Sequence, residues 1–130
     1  HGSPRAPTRE YVLSTAVAGA CFEAFETRHC LNGHTHVPAI YREAGAGGRV
    51  THEVPQHDRE VTLAPDRLLL NPGSVGQPRD GDPRAAYAIL DPEAGTIAWH
   101  RVAYEIGTTQ AAMRRAGLPP RLIERIAHGY

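Results

Sequence analysis

In "STAVAGACFEAFETR", Val17, Cys21, Ala24 and Phe25 fall on one stripe at spacings of three and four, which predicts an Ala-rich helix from Thr15 to Thr27. Gly19 weakens it slightly. From His29 the pattern changes to short runs rich in Val, Ile, Tyr and Leu, separated by Gly, Pro and Asp clusters, the mark of a meandering antiparallel sheet. Strands are expected at Cys30 to Gly33, Ala39 to Glu43, Arg49 to Glu53, Glu60 to Leu63, Leu68 to Asn71, Ala86 to Leu90 and Thr96 to Tyr104. "EAGAGGR" reads as a glycine-rich hairpin loop, and "LDPEAGTIAW" as a second hairpin with a turn opened by Pro92 and closed by Gly95. The tail reads as two short helices split at Gly117, the second started by Pro119 and Pro120 and made apolar on one face by Leu122, Ile123 and Ile126.

A chain of 130 residues, 41% hydrophobic and 22% charged, has material for one ordinary core. Fourteen basic residues, all Arg, balance fourteen acids, so no global field favours nucleic acid or an anionic membrane and any anion binding is local. The longest apolar run falls far short of the roughly 18 residues that a membrane helix needs. Two cysteines, Cys21 and Cys30, lie in apolar surroundings without CxxC spacing, which favours a reduced pair and a cytoplasmic protein.

The chemistry concentrates in "HCLNGHTHVPAIYRE". On an extended chain His34 and His36 would point the same way, and two imidazoles side by side make half of a typical metal site. Gly33 would allow close approach of a ligand or backbone, Pro38 ends the exposed stretch, and Thr35 faces the other way in a structural role. Spacing alone leaves the pair open between metal ligands and ordinary surface or core histidines. His52 and His57 look solvated, His100 exposed and His29 structural. Glu23 and Glu26 lie on the solvated side of the first helix; Ser14 and Ser74 lack a nucleophile context. Trp99 and Tyr87 read as core or hairpin residues. In "NPGSVGQPRDGDPR", Gly73, Ser74 and Gly76 could offer free N–H groups to phosphate oxygens, or the loop could chiefly pack against "GHTH" and fix its geometry. Arg79 is the most plausible substrate-facing cation, with an Arg79–Asp80 turn pair as the alternative; Arg84 is read as structural.

"NGHTHVP", taken with "LLLNPGSVGQPRDGDPRAAYAILD", with "HGSPR" at the start and with "AAMRRAGLPPRLIERIAHG" near the end, resembles the calcineurin-like metallophosphoesterase superfamily, in its small bacterial phosphodiesterase and phosphatase branch. The resemblance implies an α+β fold, the C-terminal half of a four-layer αββα sandwich with mostly antiparallel strands plus C-terminal helices. All of residues 1–130 would form the C-terminal portion of a single domain whose N-terminal, aspartate-bearing half is absent. It implies two divalent metal ions (Mn, Fe, Zn, Co or Ni), with His1 and His34 as ligands of one and His36 of the other. Two such ions about 3.5 to 4 Å apart hold a phosphate and supply hydroxide near neutral pH. The implied substrate is a phosphorylated small molecule or nucleotide, phosphodiester or phosphomonoester, with weak contributions from Gly73, Ser74 and Arg79. No membrane or specific nucleic-acid partner is expected; the reading leaves room for a homo-oligomer. Three imidazoles without carboxylates hold one metal weakly, so the piece alone should be inactive. Its uncovered sheet face should make it unstable or self-associating. A non-catalytic scaffold on the same fold is the alternative.

Overall fold

Ser14 starts the first helix, α1 (Thr15–Phe22), by accepting a hydrogen bond from the Val17 N–H at 3.2 Å. Residues 1–130 are all described by the computed structural model of this protein. Seven strands follow: β1 (His29–Leu31), β2 (Ala39–Glu43), β3 (Val50–Glu53), β4 (Glu60–Thr62), β5 (Arg67–Asn71), β6 (Ala85–Asp91) and β7 (Thr96–Val102). Two helices close the chain, α2 (Ile106–Arg115) and α3 (Pro120–Arg125).

The strands form two sheets, one in the order β1-β5-β2-β3 and one in the order β4-β7-β6. The α+β class and the mainly antiparallel pairing agree with expectation. A single meander does not describe it, because β1 pairs in parallel with β5, His29 opposite Leu68 and Leu31 opposite Leu70. Parallel neighbours need a crossover, and here it contains β2 and β3, which turn back antiparallel on the far side of β5, and β4, which joins the second sheet.

The first sheet lies between α1 and the second sheet. Side chains alternate along a strand, so "LLL" in β5 sends Leu69 to one side and Leu68 and Leu70 to the other. Leu69 joins Val12, Ala18, Cys21, Phe22, Ala39 and Tyr41 under α1. Leu68 and Leu70 join Ile40, Leu63, Ile97 and Trp99 between the sheets. Burial on both faces explains why β5 and β2 read as nearly continuous apolar runs. The outer face of the second sheet leaves Tyr87 and Ile89 exposed, and the free edge at β1 exposes Leu31. Trp99 is core and Tyr87 lies on the surface of the β6–β7 hairpin against the His100 ring, both within the expectation of core or hairpin residues.

α1 stops at Phe22, five residues before the predicted end at Thr27. Arg67, at the start of β5, meets that end. Its guanidinium donates to the Phe22 carbonyl at 3.0 Å and the Phe25 carbonyl at 2.5 Å. It also lies 4.8 Å from the centre of the Phe25 ring, which packs back on the core. Its remaining amine meets Glu43 at 2.9 Å, a carboxylate whose side chain is only 5% exposed. A distant arginine thus satisfies the carbonyl of the helix's last residue and one three residues beyond it. In the tail, Gly117 adopts a left-handed φ of 70° between α2 and α3, and Ile123 and Ile126 are buried as the apolar face predicts.

Arg67→Ala strips the counter-charge from buried Glu43 and the cap from α1. It should lower unfolding free energy by about 3 kcal/mol in urea titration, whereas Arg59→Ala, at an exposed position, should change it by less than about 0.5 kcal/mol.

Candidate functional site

Residues 1–11 fold back on themselves. The Gly2 N–H donates to the Pro7 carbonyl at 2.6 Å, and buried Ser3 accepts from the N–H groups of Arg5 and Ala6 while its hydroxyl donates to Glu10 at 2.6 Å. A Cβ at Gly2 would sit 3.0 Å from the carbonyl oxygens of Ala6 and Glu10, so a larger residue would push on the loop's backbone. Two bonds dock it on the segment after β1: Asn32 Nδ2 donates to the Gly2 carbonyl at 3.0 Å and the Gly33 N–H to the His1 carbonyl at 2.7 Å. As a result His1 Nε2 lies 2.8 Å from His34 Nδ1, across 33 positions of sequence.

The "GHTH" segment is not extended. His34 and His36 both occupy the left-handed region, with φ of 66° and 62°, so the alternation expected of a strand end does not apply. Non-glycine residues held there cost on the order of 1–3 kcal/mol each and persist only where surroundings impose them. Those surroundings centre on Asn71, buried at the end of β5. Its Nδ2 donates to the Gly33 carbonyl and to Thr35 Oγ1, each at 2.9 Å. Thr35 is buried and its hydroxyl also accepts from the Val37 N–H, in keeping with its expected structural role. A Cβ at Gly33 would meet only ordinary contacts, so close approach there does not demand glycine.

His36 goes elsewhere. Its Nδ1 lies 2.8 Å from the Gln77 carbonyl, which can only accept, so Nδ1 carries a proton and it is Nε2 that holds the lone pair of the neutral ring. The His36 carbonyl in turn accepts from the Arg79 N–H at 3.2 Å. The loop between β5 and β6 therefore packs against "GHTH" and orients it, the second of the two roles read from its sequence. Gly73 has a φ of 89°, and a Cβ there would come within 2.9 Å of both Ala86 and Pro38. Its N–H is not free: it donates to Asn71 Oδ1 at 2.9 Å. Ser74 accepts from the Gln77 N–H through its hydroxyl and from the Ala86 N–H through its carbonyl, while Gly76 is exposed and open.

The alternative Arg79–Asp80 pair does not form. Asp80 is taken by Arg101 of β7, whose side chain is only 2% exposed and needs a counter-charge. Arg79 instead donates to Gln77 Oε1 at 3.2 Å, and its Nε is buried without a partner. Arg84 grips Asp82 with a 2.6 Å contact; this bond, with lesser help from the Arg84 N–H and the charge of Arg101, overcomes partial burial and holds the Asp82 carboxyl down to about 2.

The structure thus brings His1 and His34 together, ties His36 to the neighbouring loop, and places Ser74, Gly73 and Arg79 in that loop. His29 is structural, bonded to the Leu63 carbonyl at 3.1 Å; His52 and His57 are exposed, and His100 pairs with Asp58. Burial pushes both free thiols up from their ordinary pKa, with the Glu10 charge adding to the effect at Cys21. Two ring nitrogens 2.8 Å apart can share one ion at the usual Zn–N distance of about 2.0–2.1 Å. His36 offers a third lone pair, but no group of three His, Cys, Asp or Glu side chains converges on a point. The donors fit a divalent metal as part of a set, not as the whole. A separate hollow of about 290 Å³, lined by Glu53, Gln56, Arg59 and Glu60 among others, shares no residue with the histidines. Asn71, Gln77 and Tyr11, which stacks on His34, were not singled out in the sequence; only the turn-forming Asn-Pro pair at 71 and 72 flagged one of them.

No family model matches the chain. It is similar over its whole length to the crystal structure of a metallophosphoesterase from Sphaerobacter thermophilus, at 48% identity and a TM-score of 0.95, covering 54% of that chain. A hypothetical protein from Pyrococcus horikoshii OT3 shares the fold, with a TM-score of 0.71, 21% identity, the whole of this chain and 45% of that one. An uncharacterized protein of Methanocaldococcus jannaschii is 37% identical over 98 residues, 75% of this chain and 37% of its own length. The chain therefore spans about half the length of the solved relatives and less of the curated one.

Asn71→Ala leaves Gly33, Thr35 and Gly73 short of partners and should cost about 2–4 kcal/mol, read by urea unfolding. The depressed Asp82 carboxyl stabilises the fold fully above its unfolded value of 3.8, and that contribution is lost as pH falls through about 2. Asp82→Asn should accordingly flatten the stability–pH curve between pH 4 and 2 and leave the rest of its shape unchanged.

Proposed function

Because this chain is a partial homologue of a metallophosphoesterase, we propose that the protein hydrolyses phosphoric esters with a dinuclear metal centre to which His1, His34 and His36 contribute. The observation that supports this most is the convergence of His1 and His34 to 2.8 Å on a loop and a turn whose backbones are both held in place. The chain forms the C-terminal portion of an αββα domain in this reading, and the carboxylate ligands lie outside the residues assembled here. Bound divalent metal supplies Lewis-acid polarisation of the phosphoryl group and acidifies water enough for hydrolysis near neutral pH.

The chain's own groups do the positioning. His1 and His34 present Nε2 and Nδ1 to one point; His36, protonated at Nδ1 by its bond to Gln77, presents Nε2 to another. Arg79 is the loop cation next to His36, and its guanidinium is the charge in this loop suited to phosphate oxygens. Gly73 and Ser74 shape that loop, since their polar atoms are engaged within it. A phosphorylated small molecule or nucleotide is the substrate class. Imidazole suits Mn, Fe, Co, Ni and Zn alike, so the donors leave the metal open among these.

Turnover of an aryl phosphate diester by the intact protein, with Mn²⁺, tests the reading. His36→Ala should reduce it by about 100-fold or more; unchanged turnover overturns it, and metal binding without turnover in the unsubstituted protein favours a non-catalytic scaffold instead.

A further inference from the structure

Each histidine of the site needs its ring plane fixed as well as its backbone. For His36 a hydrogen bond does this, from Nδ1 to the Gln77 carbonyl. His34 has no such tie: its one hydrogen bond is the Nδ1 contact with His1, itself a side chain of the site. What holds the His34 ring is another ring. Tyr11 lies stacked on it, with centroids 4.0 Å apart and planes 28° from parallel, while His1 meets it edge-on at 4.6 Å and 65°.

Tyr11 comes to this place by construction. It ends the folded-back loop whose start is His1, and that loop is closed by the Gly2–Pro7 and Ser3–Glu10 bonds. The next residue, Val12, is buried in the core under α1, where its carbonyl accepts from the Tyr41 hydroxyl at 3.2 Å. With Val12 pinned inward, Tyr11 is left 45% exposed, lying over His34 instead of in either core. Stacked rings of this kind resist rotation of either plane.

We propose that Tyr11 is a positioning residue for His34: its aromatic face fixes the imidazole plane so that Nδ1 stays aimed at the point His1 Nε2 also faces. The loop at residues 1–11 thereby supplies both jaws of a clamp around His34. This rests on the reading of His34 as a metal ligand. The requirement is for a flat ring and not for the hydroxyl, which forms no hydrogen bond in the site.

The test is Mn²⁺ affinity by calorimetry on the full chain, with visible absorption of the Co²⁺-loaded protein as a second readout. Tyr11→Phe should bind as the unsubstituted protein does. Tyr11→Leu and Tyr11→Gln should each bind about 10-fold or more weakly and shift the Co²⁺ bands, with unchanged circular dichroism. The two replacements differ in polarity, so a folding defect in one leaves the other decisive. His34→Ala separates the two levels. If it does not weaken Mn²⁺ binding, the ligand reading itself is overturned; if it does, and both Tyr11→Leu and Tyr11→Gln bind normally, the role of Tyr11 is overturned alone.

Discussion

Asn71 is the junction on which the arrangement depends. An asparagine side chain has two donor hydrogens and an acceptor oxygen, and here all are used: the amide on Gly33 and Thr35, the oxygen on the Gly73 N–H. Its backbone carbonyl accepts from Trp99 Nε1 at 2.9 Å, and its backbone pairs opposite Ala39 of β2. One buried residue therefore ties together the "GHTH" turn, the loop that follows β5 and the second sheet. Aspartate would keep the shape but lose the donor, leaving a carboxylate facing the oxygens of Gly33 and Thr35.

The two left-handed histidines follow from that junction. A strand would offer His34 and His36 to a common side. The turn instead sends them to separate anchors, His34 towards His1 and Tyr11, His36 towards Gln77. Holding both conformations costs free energy that a surface loop would recover by relaxing. The cost is tolerated because Thr35, between them, is buried and doubly bonded, so neither side can relax without leaving the buried Asn71 amide short of a partner.

What could be read from the sequence was local. β2 spans the predicted residues, the β6–β7 hairpin turns at Asp91 to Gly95 as its Pro and Gly indicate, and Gly117 divides the tail helices, because alternation and turn chemistry act over a few positions. The proximity of His1 to His34 could be expected only through motif resemblance, and the spacing of His34 and His36 pointed to the wrong backbone. Partners set by distant residues were hidden. The end of α1 is met by Arg67, 45 positions after Phe22, and Asp80 chooses Arg101 over adjacent Arg79 because the buried guanidinium has the greater need. Tyr11 was invisible for the same reason, since nothing in "REYVL" says which ring it will meet.

The second sheet carries none of the three histidines, yet it governs one of them. Trp99 in β7 holds Asn71, and Arg101 two residues on, pointing to the same side of the strand, holds Asp80 and the carbonyls of Asp82 and Arg84. Gly129 accepts from the Gly81 N–H and fixes the loop from its other side. Between these fixed ends lies Gln77, whose carbonyl sets the proton on His36. The carbonyl that orients the His36 imidazole thus sits in a loop anchored at both ends by a core tryptophan and a buried arginine, and held within by the side chains of Asn71 and Ser74.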